Sequence, residues 1–308
     1  MEGVDGLERI ARKTKRPQAC LAWCAALVDR GDWAGALSAY DTAAKLVGES
    51  PWRGELLDGA ALAAQQLGRP DVGPRLEAAW LGAPTLMRLV RWLVAAHPSR
   101  TPAIQAKKAL RRCPKTAGRQ LGLLRVLVGD LDAAAKLLAE APGLGWSSAD
   151  HPGHVLFPVF AILLADRTSR KISATLLANL ESTCLDPVEM LRRDGVETKP
   201  ALTMPPIGAL IDDVRPELTL ETTDRDAMLD AMRAAAEKRV EAILGHSRRR
   251  HYGHAAMLVA SCLALAPRNR EETTSAWIAQ LRAAHSRRHA FKEELRAAFN
   301  SLGLHSAD

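Results

Sequence analysis

The feature that most constrains the fold of this chain is a helical period of apolar residues on both sides of one glycine–aspartate turn. From Pro17 to Leu46, apolar side chains recur every three or four residues before and after Gly31 and Asp32. Gly31 suits the left-handed residue that ends one helix, and Asp32 suits the N-cap of the next. The pattern predicts a helical hairpin, which needs neighbouring helices to bury its apolar face.

This hairpin resembles one unit of a tetratricopeptide (TPR) repeat, a pair of antiparallel helices that stacks on further pairs. The resemblance assigns packing positions in both helices and in the turn between them: Cys24, Gly31, Ala36, Tyr40 and Ala43. The proline that closes the repeat is absent at Gly48, and the next proline is Pro51. Stacked units of this kind would form a curved array with an extended groove.

Two further turns extend the resemblance towards the middle of the chain. A clear unit covers 121–142, and its matching positions are Gly122, Gly129, Ala134 and Ala141. A weaker unit has its turn at Gly68, and Glu77 stands at its aromatic position. The gap between these two turns is long enough for an extra helix pair, which the apolar pattern predicts over 85–96 and 102–112.

Composition favours an all-α fold and argues against several other classes of protein. Aromatic residues make up 4% of the chain and apolar residues 47%, a balance that favours helices over sheets and supplies a core. No apolar run approaches the roughly 20 residues of a bilayer-spanning helix, and the first residues are too polar for a signal peptide. With five scattered cysteines, the sequence predicts a protein of the reducing cytoplasm without membrane association.

The sequence predicts an all-α, TPR-like α-solenoid of antiparallel helix hairpins that becomes irregular in its C-terminal half. Residues 1–145 are expected to form TPR-like helical repeats, 146–222 a helix followed by an acidic, proline-rich connector, and 223–308 a basic helical segment. The connector is expected to be poorly regular over 185–220, where five prolines interrupt any helix.

Charge is distributed in blocks along the chain. Residues 78–129 contain ten basic and no acidic side chains, 186–226 carry a net charge of −5, and 239–292 carry +7. The basic blocks suit a polyanion, but a solvated helix face is the commoner explanation of a basic run, and an acidic block that folds back on one of them is a further alternative. The candidate polyanion-binding residues are Lys107, Lys108, Arg111, Arg112, Lys115, Arg119, Arg248, Arg249, Arg250, Arg287 and Arg288.

The groups of potential metal ligands are better explained by core packing and by turn structure than by metal binding. Cys20 and Cys24 lie one helical turn apart, yet no further ligands accompany them, so core packing is the better interpretation. Two histidine pairs in the C-terminal segment have suitable spacing: His251 with His254, and His285 with His289. The surrounding arginines oppose a divalent cation. A further group at 150–154 is typical of turn and cap chemistry, and the sequence predicts no metal and no cofactor.

Two looser resemblances concern the C-terminal segment. Residues 239–244, 252–256 and 281–292 resemble the helical tail of bacterial SWIM-type zinc-finger proteins, but the cysteine and histidine motif of the finger is missing, so no zinc site is implied. The spacing of Arg239 with His246, and of Arg249 with His254, resembles the Arg–His pair of HEPN-type ribonucleases. That resemblance implies RNA cleavage in a dimer that depends on His246 or His254.

The leading functional expectation is a non-enzymatic scaffold in the bacterial cytoplasm that binds a peptide or partner protein in a helical groove. Nucleic-acid binding through the basic helices is the alternative from another class, and a HEPN-like ribonuclease is a second alternative. A scaffold would bind in a salt-tolerant way, whereas polyanion binding would weaken steeply as salt rises.

Overall fold

The computed structural model confirms the all-α fold, because every regular element in the part of the chain that it describes is helical. It describes residues 3–95, 102–148, 150–165, 174–178, 200–203 and 205–304. The chain divides into two compact units, and the first holds the described residues up to Lys108 together with 200–203 and 205–206. The second unit holds the described residues from Ala109 to 178 and from Ile207 onwards.

The first unit is a succession of helices that pack on their neighbours in sequence. From α1 to α6, each helix packs against the next, so its apolar face is covered by the following helix. This is the local packing that a helical repeat requires, while the extended solenoid stays a prediction. The helices are α1 (Gly3–Thr14), α2 (Pro17–Asp29), α3 (Trp33–Leu46), α4 (Arg53–Gln66), α5 (Val72–Gly82), α6 (Leu86–Ala95) and α7 (Pro102–Leu110), whose last two residues belong to the second unit.

The second unit combines helices from the middle and the end of the chain. Its helices are α8 (Gly118–Leu127), α9 (Leu131–Glu140), α10 (Gly153–Leu164), α11 (Ile207–Val214), α12 (Thr222–Gly245), α13 (Tyr252–Ala264), α14 (Arg268–Ala284) and α15 (His289–Ser301). The long helix α12 packs against α9, α10 and α13, and α13 packs against α15. The unit boundaries therefore differ from the predicted segments 1–145, 146–222 and 223–308.

The predicted hairpins are present, and their turns have the expected local structure. Gly31 has a φ of +71°, and the Asp32 carboxylate accepts a hydrogen bond from the backbone N–H of Gly35 at 2.8 Å. Gly129, in the turn between α8 and α9, has a φ of +80°. The small residues at the assigned packing positions are buried: Cys24, Ala36, Ala43, Gly122, Ala134 and Ala141.

Helix α1 and the connector depart from the expectations. Helix α1 is not among the predicted helices, and it buries Val4 and Ala11 against the following hairpin. The connector predicted over 185–220 is not irregular throughout, because α11 forms immediately after Pro205 and Pro206. Its four large apolar residues recur at helical spacing and are all buried: Ile207, Leu210, Ile211 and Val214. Residues 185–199 of that connector lie outside the described residues.

Close packing between α3 and α4 provides a test of the first unit. A Cβ atom at Gly59 would lie 2.3 Å from Cε1 of the Tyr40 ring, so Gly59→Ala forces this ring to move. We expect the free energy of unfolding to fall by about 1–3 kcal/mol in a urea titration. Gly73→Ala near the start of α5 is the matched control, because the nearest atom would be 3.9 Å away and alanine favours helix. Equal stability of the two variants would contradict this packing.

Candidate functional site

Part of the first basic block, 78–129, serves the internal structure of the first unit. Arg88 and Arg91 are only 8% and 6% exposed. The Nε atom of Arg88 donates to the carboxylate of Asp58 at 2.7 Å, and Nη2 of Arg91 donates to the backbone carbonyl of Leu202 at 2.6 Å. These two cations stabilise packing and do not form a binding surface.

The predicted basic ridge from Lys107 to Lys115 is exposed but partly neutralised. The Nζ atom of Lys108 donates to the Glu77 carboxylate at 2.7 Å and lies 5.6 Å from the centroid of the Trp92 ring. Helix α7 ends at Leu110, earlier than predicted, because the approach of Pro114 disfavours a further helical turn. Arg111 and Arg112 therefore lie in the turn after the helix, and the ridge is not one continuous helix face.

The two basic segments of the C-terminal block meet at one place in the second unit. Arg248–Arg250 come shortly before α13, and Arg287–Arg288 directly precede α15. Tyr252, the first residue of α13, packs edge-on against Phe291 in the first turn of α15, with ring centroids 5.9 Å apart. The starts of the two helices are therefore adjacent, and so are the arginines that lead into them. We call Arg248, Arg249, Arg250, Arg287 and Arg288 the arginine patch.

The arginine patch carries a concentrated positive charge. All five side chains are exposed, and among the described residues none of them forms an ion pair. The N-terminal ends of α13 and α15 add the partial positive charge of the helix dipole. One carboxylate lies beside the patch, since a Cβ atom on Gly253 would be 3.0 Å from Oε2 of Glu294. The patch is thus a surface suited to anions.

A second group of basic and aromatic side chains surrounds the indole of Trp146, in the loop between α9 and α10. The ring centroids of His151, His154 and His254 lie 5.0, 5.7 and 5.0 Å from that of Trp146. The Cζ atom of Arg239 lies 5.9 Å from the same ring. We call these five residues the Trp146 cluster. Because they come from the loop, α10, α12 and α13, the cluster exists only in the folded unit.

Hydrogen bonds fix part of the Trp146 cluster. His151 Nε2 donates to the carbonyl oxygen of Pro142 at 2.7 Å, and its Nδ1 accepts from the backbone N–H of Gly153 at 3.0 Å. These partners assign the Nε2–H tautomer to His151 and give it a role at the start of α10. Arg239 donates from Nη1 to the carbonyl oxygen of Gly143 at 3.1 Å.

Other nitrogen atoms of the cluster are buried without a hydrogen-bond partner among the described residues: Arg239 Nε, Trp146 Nε1 and His254 Nδ1. An unpaired buried polar group costs about 1–3 kcal/mol, and a buried cation without a counter-ion costs more. Arg239 is 5% exposed and has no ion pair in the described part of the chain. The cluster is therefore a buried cationic site that lacks an acidic partner within the described structure.

Burial keeps the histidines of the cluster neutral at physiological pH. It lowers the pKa of His154 to about 4, with a further contribution from the charge of Arg119. It lowers the pKa of His254 to about 3, and repulsion from His154 adds to this. The pKa of His151 is also lowered, mainly by burial. Arg239 is thus the principal charge inside the cluster at pH 7.

The Trp146 cluster lies next to the arginine patch. Burial, and then repulsion by Arg248 of the patch, lower the pKa of Arg239. His251 directly follows the patch, and its pKa is lowered by burial and then by the charge of Arg239. The exposed and the buried cations therefore form one positive region within the second unit.

The structure separates the residues of the two HEPN-type pairs. Arg239 is buried, whereas His246 is exposed and its Nδ1 faces the carbonyl oxygen of Ala242 on its own helix at 2.7 Å. Arg249 belongs to the exposed patch, whereas His254 belongs to the Trp146 cluster. No hydrogen bond joins either pair among the described residues, and ribonuclease activity stays a prediction.

The described residues contain no group of three or more His, Cys, Asp or Glu side chains that could hold a metal ion. No described helix combines the length and the apolar character needed to cross a membrane. Cys20 and Cys24 are both fully buried, and burial raises the pKa of Cys24 to about 12. This agrees with their interpretation as core residues.

The contact between Trp146 and Arg239 was not predicted from the sequence. A local signal exists, because Trp146 is followed by His151 and His154 within one short stretch. The contacts with Arg239 and His254 have no signal in the sequence, because those residues lie on helices far along the chain.

Comparison with known proteins gives no relative, since no protein-family model, no curated protein and no solved structure matches this chain. The TPR-like and SWIM-type resemblances therefore stay predictions.

The neutral histidines predict that the protein loses stability in acid. His154 and His254 bind protons in the unfolded chain below about pH 6.5, but in the folded chain only near pH 4 and pH 3. The free energy of unfolding should therefore fall with pH below 6.5, by about 1.4 kcal/mol per pH unit for each histidine. Urea unfolding between about pH 7 and pH 5 measures this slope.

Two variants control this measurement. Replacing His154 and His254 together by Gln should remove most of the slope, whereas His246→Gln, at an exposed position, should preserve it. An unchanged slope in the double variant would show that these histidines are not the source of the acid sensitivity.

Proposed function

We propose that this protein binds nucleic acid, or another polyphosphate chain, through the arginine patch of its second unit. The observation that carries this proposal is the contact between Tyr252 and Phe291, which joins the starts of α13 and α15, the helices that Arg248–Arg250 and Arg287–Arg288 precede. Two basic segments that are separate in sequence thereby become one exposed surface.

The chemistry of the patch suits phosphate groups. A guanidinium can donate two parallel hydrogen bonds to one phosphate, and it keeps its charge at any physiological pH. The positive end of a helix dipole also attracts phosphate. Since the patch combines guanidinium donors with two helix starts, we infer that it contacts the sugar–phosphate backbone.

The patch favours binding without sequence preference. Tyr252 and Phe291, the aromatic residues beside it, are buried and pack on each other. They cannot serve as the exposed platforms on which unpaired bases stack. Single strands and duplexes should therefore bind through the same phosphate contacts, with an affinity set by charge density and salt.

A protein-binding scaffold, the leading expectation from the sequence, stays a prediction. Its candidate surface in the first unit is a groove between α1 and α2, lined by Val4, Leu7, Ile10 and Ala26. Ile10 is 49% exposed there. Binding to a protein partner that survives both high salt and substitution of the arginine patch would favour this second function.

Fluorescence anisotropy with labelled single-stranded RNA and duplex DNA tests the proposed function. We expect the affinity to fall by a factor of about ten or more when salt rises from low to physiological concentration. The triple variant Arg249→Glu/Arg250→Glu/Arg288→Glu should bind at least about tenfold more weakly and show a smaller salt slope.

The matched control changes the same amount of charge elsewhere. Lys107→Glu/Arg111→Glu/Lys115→Glu alters three exposed residues of the first basic block and should lower the affinity by less than about threefold. If both triple variants lose affinity equally, net charge and not the arginine patch is responsible. If neither variant loses affinity, the proposal is wrong.

Substitution of Glu294 provides a test in which the affinity for nucleic acid is expected to rise. The Glu294 carboxylate lies beside Gly253 at the edge of the patch, so Glu294→Gln removes a repulsive charge from the approach of a phosphate chain. We expect the affinity for duplex DNA to rise by about two- to threefold at low salt. A weaker complex would show that Glu294 does not face the bound polyanion.

A further inference from the structure

Arg239 is the buried cation whose charge the described structure leaves uncompensated. It is 5% exposed, its guanidinium lies over the Trp146 ring, and its one described hydrogen bond goes to the backbone carbonyl of Gly143. The neighbouring histidines of the cluster are uncharged at pH 7, and the charged groups that act on them are the cations Arg119 and Arg239. Because buried charges in folded proteins are paired, Arg239 requires an anion beside it.

We propose that the Trp146 cluster binds a phosphate group, with the Arg239 guanidinium as its counter-ion and the Trp146 indole N–H and the His254 imidazole as further hydrogen-bond partners. Each of these three residues has a buried nitrogen atom without a partner in the described structure: Arg239 Nε, Trp146 Nε1 and His254 Nδ1. Trp146 and Arg239 are each more than nine-tenths buried.

The hydrogen-bond donors of the Trp146 cluster favour a phosphate group as the ligand. An indole N–H and a guanidinium only donate hydrogen bonds, so the ligand must be an acceptor, and the charge of Arg239 requires that it be negative. A phosphate offers several acceptor oxygens in different directions, which suits donors that reach it from different helices. A divalent metal ion is disfavoured because Arg239 lies in the cluster and Arg248 acts on it.

Two side chains of the cluster reach solvent in part, because His154 and His254 are half-buried, whereas the Nδ1 atom of His254 is itself buried. Arg248 of the arginine patch and His251 after it both interact electrostatically with Arg239. The phosphate can therefore be a free phosphate, or the terminal phosphate of a strand lying on the patch. The second source rests on the proposed function, whereas the first does not.

Binding of phosphate should be coupled to proton uptake. An anion next to His154 and His254 favours their charged forms and raises their pKa values from about 4 and about 3. The groups that oppose this change are Arg239 from α12, Arg119 from α8, His151 before α10 and His251 before α13.

A nuclear magnetic resonance titration of the full-length, ¹⁵N-labelled protein with inorganic phosphate tests the inference. The indole N–H resonance of Trp146, assigned with Trp146→Phe, should shift until saturation. The indole of Trp277 is an internal control, because its Nε1 is also buried without a described partner but lies outside the cluster. Sodium chloride at the same ionic strength should leave both resonances unchanged.

Arg239→Met should lower the phosphate affinity by about tenfold or more. The matched control is Arg233→Met, because Arg233 also lies on α12 and stacks on a tryptophan, with its Cζ atom 5.2 Å from the Trp277 ring. This control should bind phosphate like the wild type. If Arg239→Met does not fold, the wild-type titration is still informative, since a Trp146 resonance that neither inorganic phosphate nor a 5′-phosphorylated oligonucleotide moves overturns the inference.

A comparison of two oligonucleotides distinguishes the sources of the phosphate. A strand with a 5′-phosphate that binds more tightly than its 5′-hydroxyl counterpart, with the preference lost in Arg239→Met, assigns the site to strand ends. Equal affinities together with a shift by inorganic phosphate assign it to free phosphate. If no oligonucleotide binds but phosphate shifts Trp146, the proposed function fails and this inference stands. If inorganic phosphate does not shift the Trp146 resonance and the two oligonucleotides bind equally, the inference about the Trp146 cluster is wrong.

Discussion

The second unit depends on the burial of one guanidinium, that of Arg239, against the indole of Trp146. The loop that carries Trp146 reaches α12 because Gly143 has no side chain, since a Cβ atom there would lie 2.0 Å from the carbonyl oxygen of Lys238. This close approach lets Arg239 donate to the carbonyl oxygen of Gly143, and Lys238 donates to that of Ala139 at 2.6 Å. Middle and C-terminal parts of the chain are joined by these contacts.

The same contacts determine where charge is found in this unit. Helix α12 brings Arg239 into the interior and ends at Gly245, and the arginines that follow it remain exposed at the start of α13. The contact between Tyr252 and Phe291 then adds Arg287 and Arg288 to the same surface. A buried cation together with an exposed cationic surface favours anions over metal ions, because guanidinium groups donate hydrogen bonds to anionic oxygens and repel cations.

Much of the fold could be predicted from the sequence, because it follows from local rules. The turn at Gly31 and Asp32 follows from capping, and the helices from α12 to α15 follow from short-range apolar periodicity, both of which the sequence displays directly. Helix α11 was harder to predict, since its prolines, Pro205 and Pro206, suggested a connector although they suit the residues before a helix. The site could be predicted only in part. The sequence displays the arginines as a block of positive charge. The proximity of Arg248–Arg250 to Arg287–Arg288, however, depends on the tertiary contact between Tyr252 and Phe291, and the environment of Trp146 also depends on tertiary contacts.

The most direct test of this account is a map of the residues that respond to a 5′-phosphorylated oligonucleotide, read from backbone amide resonances of the full-length protein. The account predicts that the largest changes fall at 248–254 and 287–291, with a simultaneous shift of the Trp146 indole, and that residues 107–115 change little. Changes concentrated at 107–115, with 248–254 and the Trp146 indole unmoved, would contradict it.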